Sequence, residues 1–201
     1  MILWMILYIS DYYLTIYSAR GLREIGHIEF EGSFELTPQY QKDIDTLNPV
    51  SKRHVFWLIA SSLLILLIWW FIKQLVPFPW GYLLYLLYLG MFLLLEVAIH
   101  VRHLRNVALI REYRKSGGIE GKISYRKWFT YRMSAAELYT LSVLFLIFAV
   151  LAYSPFFLGG ATACFATGFK HVRLAKKAKL NPSPTVEARI WKFFMKMNIY
   201  W

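Results

Sequence analysis

Cysteine is nearly absent from this chain: Cys164 is the only one in 201 residues. A single thiol excludes an internal disulfide and any metal site built from several thiolates. Acidic side chains are scarce as well, 12 against 23 lysines and arginines, for a net charge of +11. The signatures of several common chemistries are missing. There is no G-x-S-x-G elbow, no phosphate-cradling glycine loop and no C-x-x-C pair. Neither a filter-like carbonyl loop nor a voltage-sensor arginine ladder occurs, and there is no internal repeat. No basic residue precedes the first apolar run, and Asp11 breaks that run. Both features argue against a cleaved signal peptide.

Apolar surface is what the chain has in abundance. Hydrophobic residues make up 58% and aromatics 18%, with a mean hydropathy of +0.41. Soluble domains lie near about 45–50% apolar even with glycine counted. The expected environment is therefore a lipid bilayer. In a soluble chain the positive charge would suggest nucleic acid. Here it clusters between apolar runs, as membrane topology requires, and no nucleic acid partner is expected.

Five segments read as membrane spans: residues 1–19, 54–76, 80–100, 133–153 and 155–174. Between the second and third, Pro77-Phe78-Pro79 leaves no helical route through. The last two come from one uncharged run, Leu138–Phe169, of 32 residues. As one helix it would extend about 48 Å, too long for a hydrocarbon core of about 30 Å. Ser154-Pro155 divides it, with serine suited to the N-cap and proline to the first helical turn. Lysines and arginines number five in Arg20–Arg53, nine in Arg102–Arg132 and eight from Lys170 onward, with only Lys73 elsewhere. Five spans put all three basic stretches on one side, whereas four would send the basic tail outward. The expected fold is an all-α integral membrane protein. It is a five-span bundle with the N-terminus outside and the C-terminus cytoplasmic, in a cell (inner) membrane.

The polar segments carry expectations of their own. In the loop 20–53, Ile28–Leu36 alternates about Gly32-Ser33 as a short hairpin would. Thr37-Pro38 then opens a short helix toward Leu47. The third span continues as helix to about residue 115, into the basic loop 101–132, and stops at Gly117-Gly118. In the tail, 175–201, apolar Ile190, Trp191, Phe193, Phe194 and Met197 alternate with basic residues. That pattern predicts an amphipathic helix on the inner leaflet.

Four groups of residues are candidates for function. The first is a polar layer. At 1.5 Å per residue, Asp11 lies about 13 Å above Arg20 and Glu96 about 9 Å above Arg102. By the same rise Glu137 lies about 8 Å above Arg132, and Ser61 with Ser62 about 11 Å above His54. Ionisable groups at such depth face bundle interiors and mark ion, proton or substrate paths. The bland alternative is that each is satisfied locally, Glu137 by its helix N-terminus. The second group is Glu96, His100 and His103 on one helix face, which could bind zinc or iron. Their spacing matches neither H-E-x-x-H nor a di-iron Glu-x-x-His pair. All five histidines fall at the same end of the spans. In the third group, Arg20, Arg23, Arg102 and Arg105 could hold a phosphate or acidic lipid head group, or simply supply positive-inside charge. Finally, Gly160, Cys164 and Gly168 recur at spacing four, which lets helices approach closely, within the chain or between protomers.

The expected function is a cytoplasm-facing polar site at Asp11, Ser61, Glu96, His100 and Glu137, used for cation or proton transport or for ligand binding, in an oligomer. An intramembrane metal enzyme using Glu96, His100 and His103 is one alternative. An accessory or scaffold subunit of a larger membrane complex is the other. These residues specify no cofactor.

Overall fold

A computed structural model describes residues 1–180, so the predicted tail helix beyond Leu180 lies outside the described residues. The described residues are 78% helical. In order it forms α1 (Ile2–Ile25), β1 (Ile28–Phe30), α2 (Gln41–Asp45), α3 (Lys52–Leu75), α4 (Trp80–Ser116), β2 (Ile123–Tyr125), α5 (Lys127–Leu151) and α6 (Pro155–Leu180).

Three of these helices, α3, α4 and α5, are long and apolar enough to cross a membrane. The 24 residues of α3 extend about 36 Å at 1.5 Å each, which exceeds a hydrocarbon core of about 30 Å. The chain is thus a helical membrane protein. α1 and α6 match α3 and α5 in length but contain no stretch as apolar as those of the three. α1 carries Asp11 and four tyrosines (Tyr8, Tyr12, Tyr13, Tyr17), and α6 is rich in glycine, alanine and threonine before its basic end.

Local signals set the helix ends. The Ser51 hydroxyl accepts the His54 amide at the start of α3. α4 stops at Gly117, whose φ of 76° suits glycine. α1 stops at Gly26 in the left-handed conformation.

Helix α4 is the spine, with α1, α3 and α6 packed along it and α5 lying against α6. The α4–α6 contact is nearly backbone to backbone. A Cβ on Gly90 would overlap the Phe156 carbonyl, and one on Gly159 the Leu87 carbonyl. The small-residue stripe of α6 therefore packs within the chain. Beneath it lies a core of Leu94, Ala98, Leu138, Phe145, Ala161 and Cys164. On the other side, Gly21 of α1 receives Ile110 of α4, which is fully buried.

Two expectations for the polar segments need correction. Residues 28–36 do not form a hairpin. Ile28, Glu29 and Phe30 pair in parallel with Ile123, Ser124 and Tyr125. The alternation did mark a strand, but Phe30 stacks on Tyr125, at 5.5 Å between ring centroids, instead of on a partner across Gly32. The helix after Pro38 is also shorter, covering only Gln41–Asp45. The Arg23 guanidinium donates to the Asp45 carbonyl and pins its end to α1.

Candidate functional site

Helix α1 packs on α4 and α3, whereas α6 packs on α4 and α5. Among the described residues, α1 makes no extended contact with the α5–α6 hairpin. The space left between them, floored by α4, is a cavity of about 490 Å³ at the basic end of the bundle. The β1–β2 pair and the segment 34–37 roof it. That roof is strapped down at several points. Lys127 N–H donates to the Glu31 carboxylate, and the Tyr131 hydroxyl donates to the Leu36 carbonyl. Ser33 donates to Asp45, and Glu35 accepts the Thr37 amide at 2.7 Å.

At the floor, His103 Nε2 donates to Asp11 Oδ1 at 2.7 Å, joining α4 to α1. His103 is 6% exposed, and its Nδ1 has no hydrogen-bond partner. Thr15 lies 3.3 Å from the same Nε2. On the α5 side, Glu137 pairs with both Arg102, at 3.7 Å, and Arg105. His171 of α6 is hydrogen-bonded to the Ser134 hydroxyl at 2.9 Å. Lys170 and Thr167 complete the α6 wall. Leu22, Ile28, Phe30, Phe34, Leu109 and Leu138 supply apolar lining. Outside the membrane-spanning helices, burial pushes the Glu35 carboxyl above the usual carboxylate range, although the Thr37 hydrogen bonds oppose this.

The predicted polar layer divides. Asp11 and Glu137 line the cavity. Glu96 does not; it is 6% exposed, with Oε2 unpartnered, on the α4 turn next to the cavity floor. His100 is also off the cavity, held between Ser10 at 2.7 Å and the Glu96 carbonyl at 2.8 Å. Ser61 lies apart on α3, its hydroxyl donating back to the Trp57 carbonyl.

Glu96, His100 and His103 do not gather into a ligand set. The two imidazole rings lie 6.4 Å apart at 86°, each engaged with a different group of α1. Among the described residues no group of three or more histidine, cysteine or carboxylate side chains is arranged to hold a metal ion. Of the four arginines, Arg102 and Arg105 line the cavity. Arg23 is occupied at α2 and Arg20 is exposed away from the lining.

Sequence reasoning missed Glu35, Ser134, Lys170 and His171 as cavity residues. The only available hint was that every histidine falls at one end of the spans. A second, smaller space of about 70 Å³ adjoins the first through Asp11, Thr15, Glu35 and Thr37. His54 lines it, its ring stacked on Tyr8 and Tyr12 at 4.4 and 4.5 Å. Compared with protein-family models, with curated proteins and with solved structures, the chain matches none.

Proposed function

We propose that this chain is a five-span membrane protein, N-terminus outside, that binds a small amphipathic molecule in a cavity facing the cytoplasm. The distribution of charge supports the orientation. Of 23 lysines and arginines, all but Lys73 fall in the three stretches assigned to the inside. Helices α1 and α6, though less apolar, complete the five because each packs against two of the apolar spans, α1 on α3 and α4 and α6 on α4 and α5.

One observation carries the binding reading: a cavity of about 490 Å³ with polar and apolar walls, shared by four helices. Ligand sites commonly measure about 300–1,000 Å³ and combine apolar lining with a few placed polar groups. Passage of cations is less well supported. Asp11 is engaged by His103, Glu137 by two arginines and Glu35 by its own loop. A cation would have to compete with each of these partners.

The test is native mass spectrometry of the full chain purified in mild detergent. The expected result is one retained small amphipathic molecule per chain, largely lost in Thr167→Trp, where the indole occupies the cavity. Protein with nothing bound, or a variant with unchanged occupancy, refutes the proposal.

A further inference from the structure

Which end of an amphipath the polar wall would hold depends on the charge left over once internal pairing is counted. The lining contains three permanent cations, Arg102, Arg105 and Lys170. Of its three carboxyl groups, Asp11 is hydrogen-bonded by His103. Glu35 lies within the roof, where burial disfavours its charged form. Glu137 is the carboxylate ion-paired with the arginines, and it pairs with both of them, while Arg102 exerts only the weakest of the named influences on Glu35. Two guanidinium groups offer ten N–H donors, and one carboxylate cannot use them all. Arg102 Nε, the atom 3.7 Å from Glu137 Oε2, is buried and at that distance makes no hydrogen bond. Depth orders the three cations: the Arg102 side chain is 23% exposed and that of Arg105 55%, and Lys170 is exposed at the α6 rim. Neutral donors stand beside them, with Thr130 and Ser134 on α5 and Asn106 on α4.

We propose that this corner of the cavity, Arg102, Arg105 and Lys170 around Glu137, binds the phosphate-type anionic head of a lipid-like molecule. The proposal rests on the binding reading above and adds the chemical class of the ligand. Planar guanidinium forks suit phosphate oxygens, and the mobile Lys170 ammonium adds a point charge at the rim. The apolar part of the ligand lies along the cleft between α1 and α5, past Ile99 and Leu138. No extended helix contact closes that cleft among the described residues. A free phosphate shares the head-group chemistry but leaves the apolar wall unused.

The experiment measures saturable binding of radiolabelled dodecyl phosphate to the full chain in phosphatidylcholine nanodiscs, with empty nanodiscs subtracted. Competition by inorganic phosphate and by dodecyltrimethylammonium is measured alongside. The expected result is one site per chain, weakened about tenfold in Arg105→Gln and in Lys170→Gln, the scale of one lost charge-assisted hydrogen bond. Both substituted side chains are exposed, and folding is checked by circular dichroism. Competition by inorganic phosphate equal to that by unlabelled dodecyl phosphate supports the anion site and assigns it to free phosphate. Equal competition by dodecyltrimethylammonium, or binding indifferent to both variants, overturns the anionic head but leaves a ligand cavity that Thr167→Trp still blocks. If no saturable binding occurs and no molecule is retained in mass spectrometry, both readings fall.

Discussion

Glu35 carries the clearest residue-scale consequence, because its carboxyl sits in the cavity roof where burial favours the proton-bound form. In the unfolded chain the same group ionises in the ordinary carboxylate range. Between that range and the raised folded value, the native state holds more protons than the unfolded one. Stability therefore declines as pH climbs through this interval. Glu35→Gln is expected to flatten that part of the profile, as read from thermal unfolding in detergent at a series of pH values. An unchanged slope would show that some other group titrates there. The neighbouring site residues differ in how visible they are from sequence. Asp11 is conspicuous as a charge within an apolar run, because a carboxylate in lipid demands a partner. That the partner is His103 depends on how α1 and α4 rotate against each other. Linear spacing carries no record of that rotation. Glu96 is equally conspicuous, yet one helical turn of displacement leaves it off the cavity.

At the scale of elements, the α4–α6 contact is the sharpest point of packing. Gly159→Leu forces a side chain into the Leu87 carbonyl and is expected to cost about 1–3 kcal/mol or more, as overpacking does. Its neighbour Leu158, 41% exposed, is expected to tolerate alanine with a change within about 0.5 kcal/mol. Thermal or denaturant unfolding of the two variants side by side checks the contrast, and equal losses would deny that the backbones touch. Helices of this kind are legible because their signals are local. An apolar run, a Ser-Pro start and a glycine stop all act within a few residues of the boundary they set. The strand pair is not legible in that way. Each strand has three residues, and Ile28 finds Ile123 across most of α1's companions in the chain. Gly32-Ser33 offered a nearer and plausible turn, and nothing local contradicted it. Because the roof is built from that pairing, Glu35 and the α6 residues beneath it stayed hidden too.

For the whole molecule, orientation is the property that charge distribution decides, and cysteine labelling reads it directly. With Cys164, fully buried, replaced by alanine, new thiols are placed at Phe78→Cys and Lys122→Cys. An impermeant maleimide is expected to modify the first in intact cells and the second only after permeabilisation. Labelling of Lys122→Cys in intact cells would reverse the proposed topology and turn the cavity outward.

The parallel pairing of β1 with β2 also dictates an order of assembly. β1 leaves the ribosome directly after α1, but its partner is made only once α3 and α4 have been synthesised. Contacts so distant in sequence form late, since a long loop must close before they contribute. The nascent chain thus carries an unmatched strand edge through nearly half of its synthesis, with the chamber beneath it still unlidded. Closure waits for the segment that leads into α5.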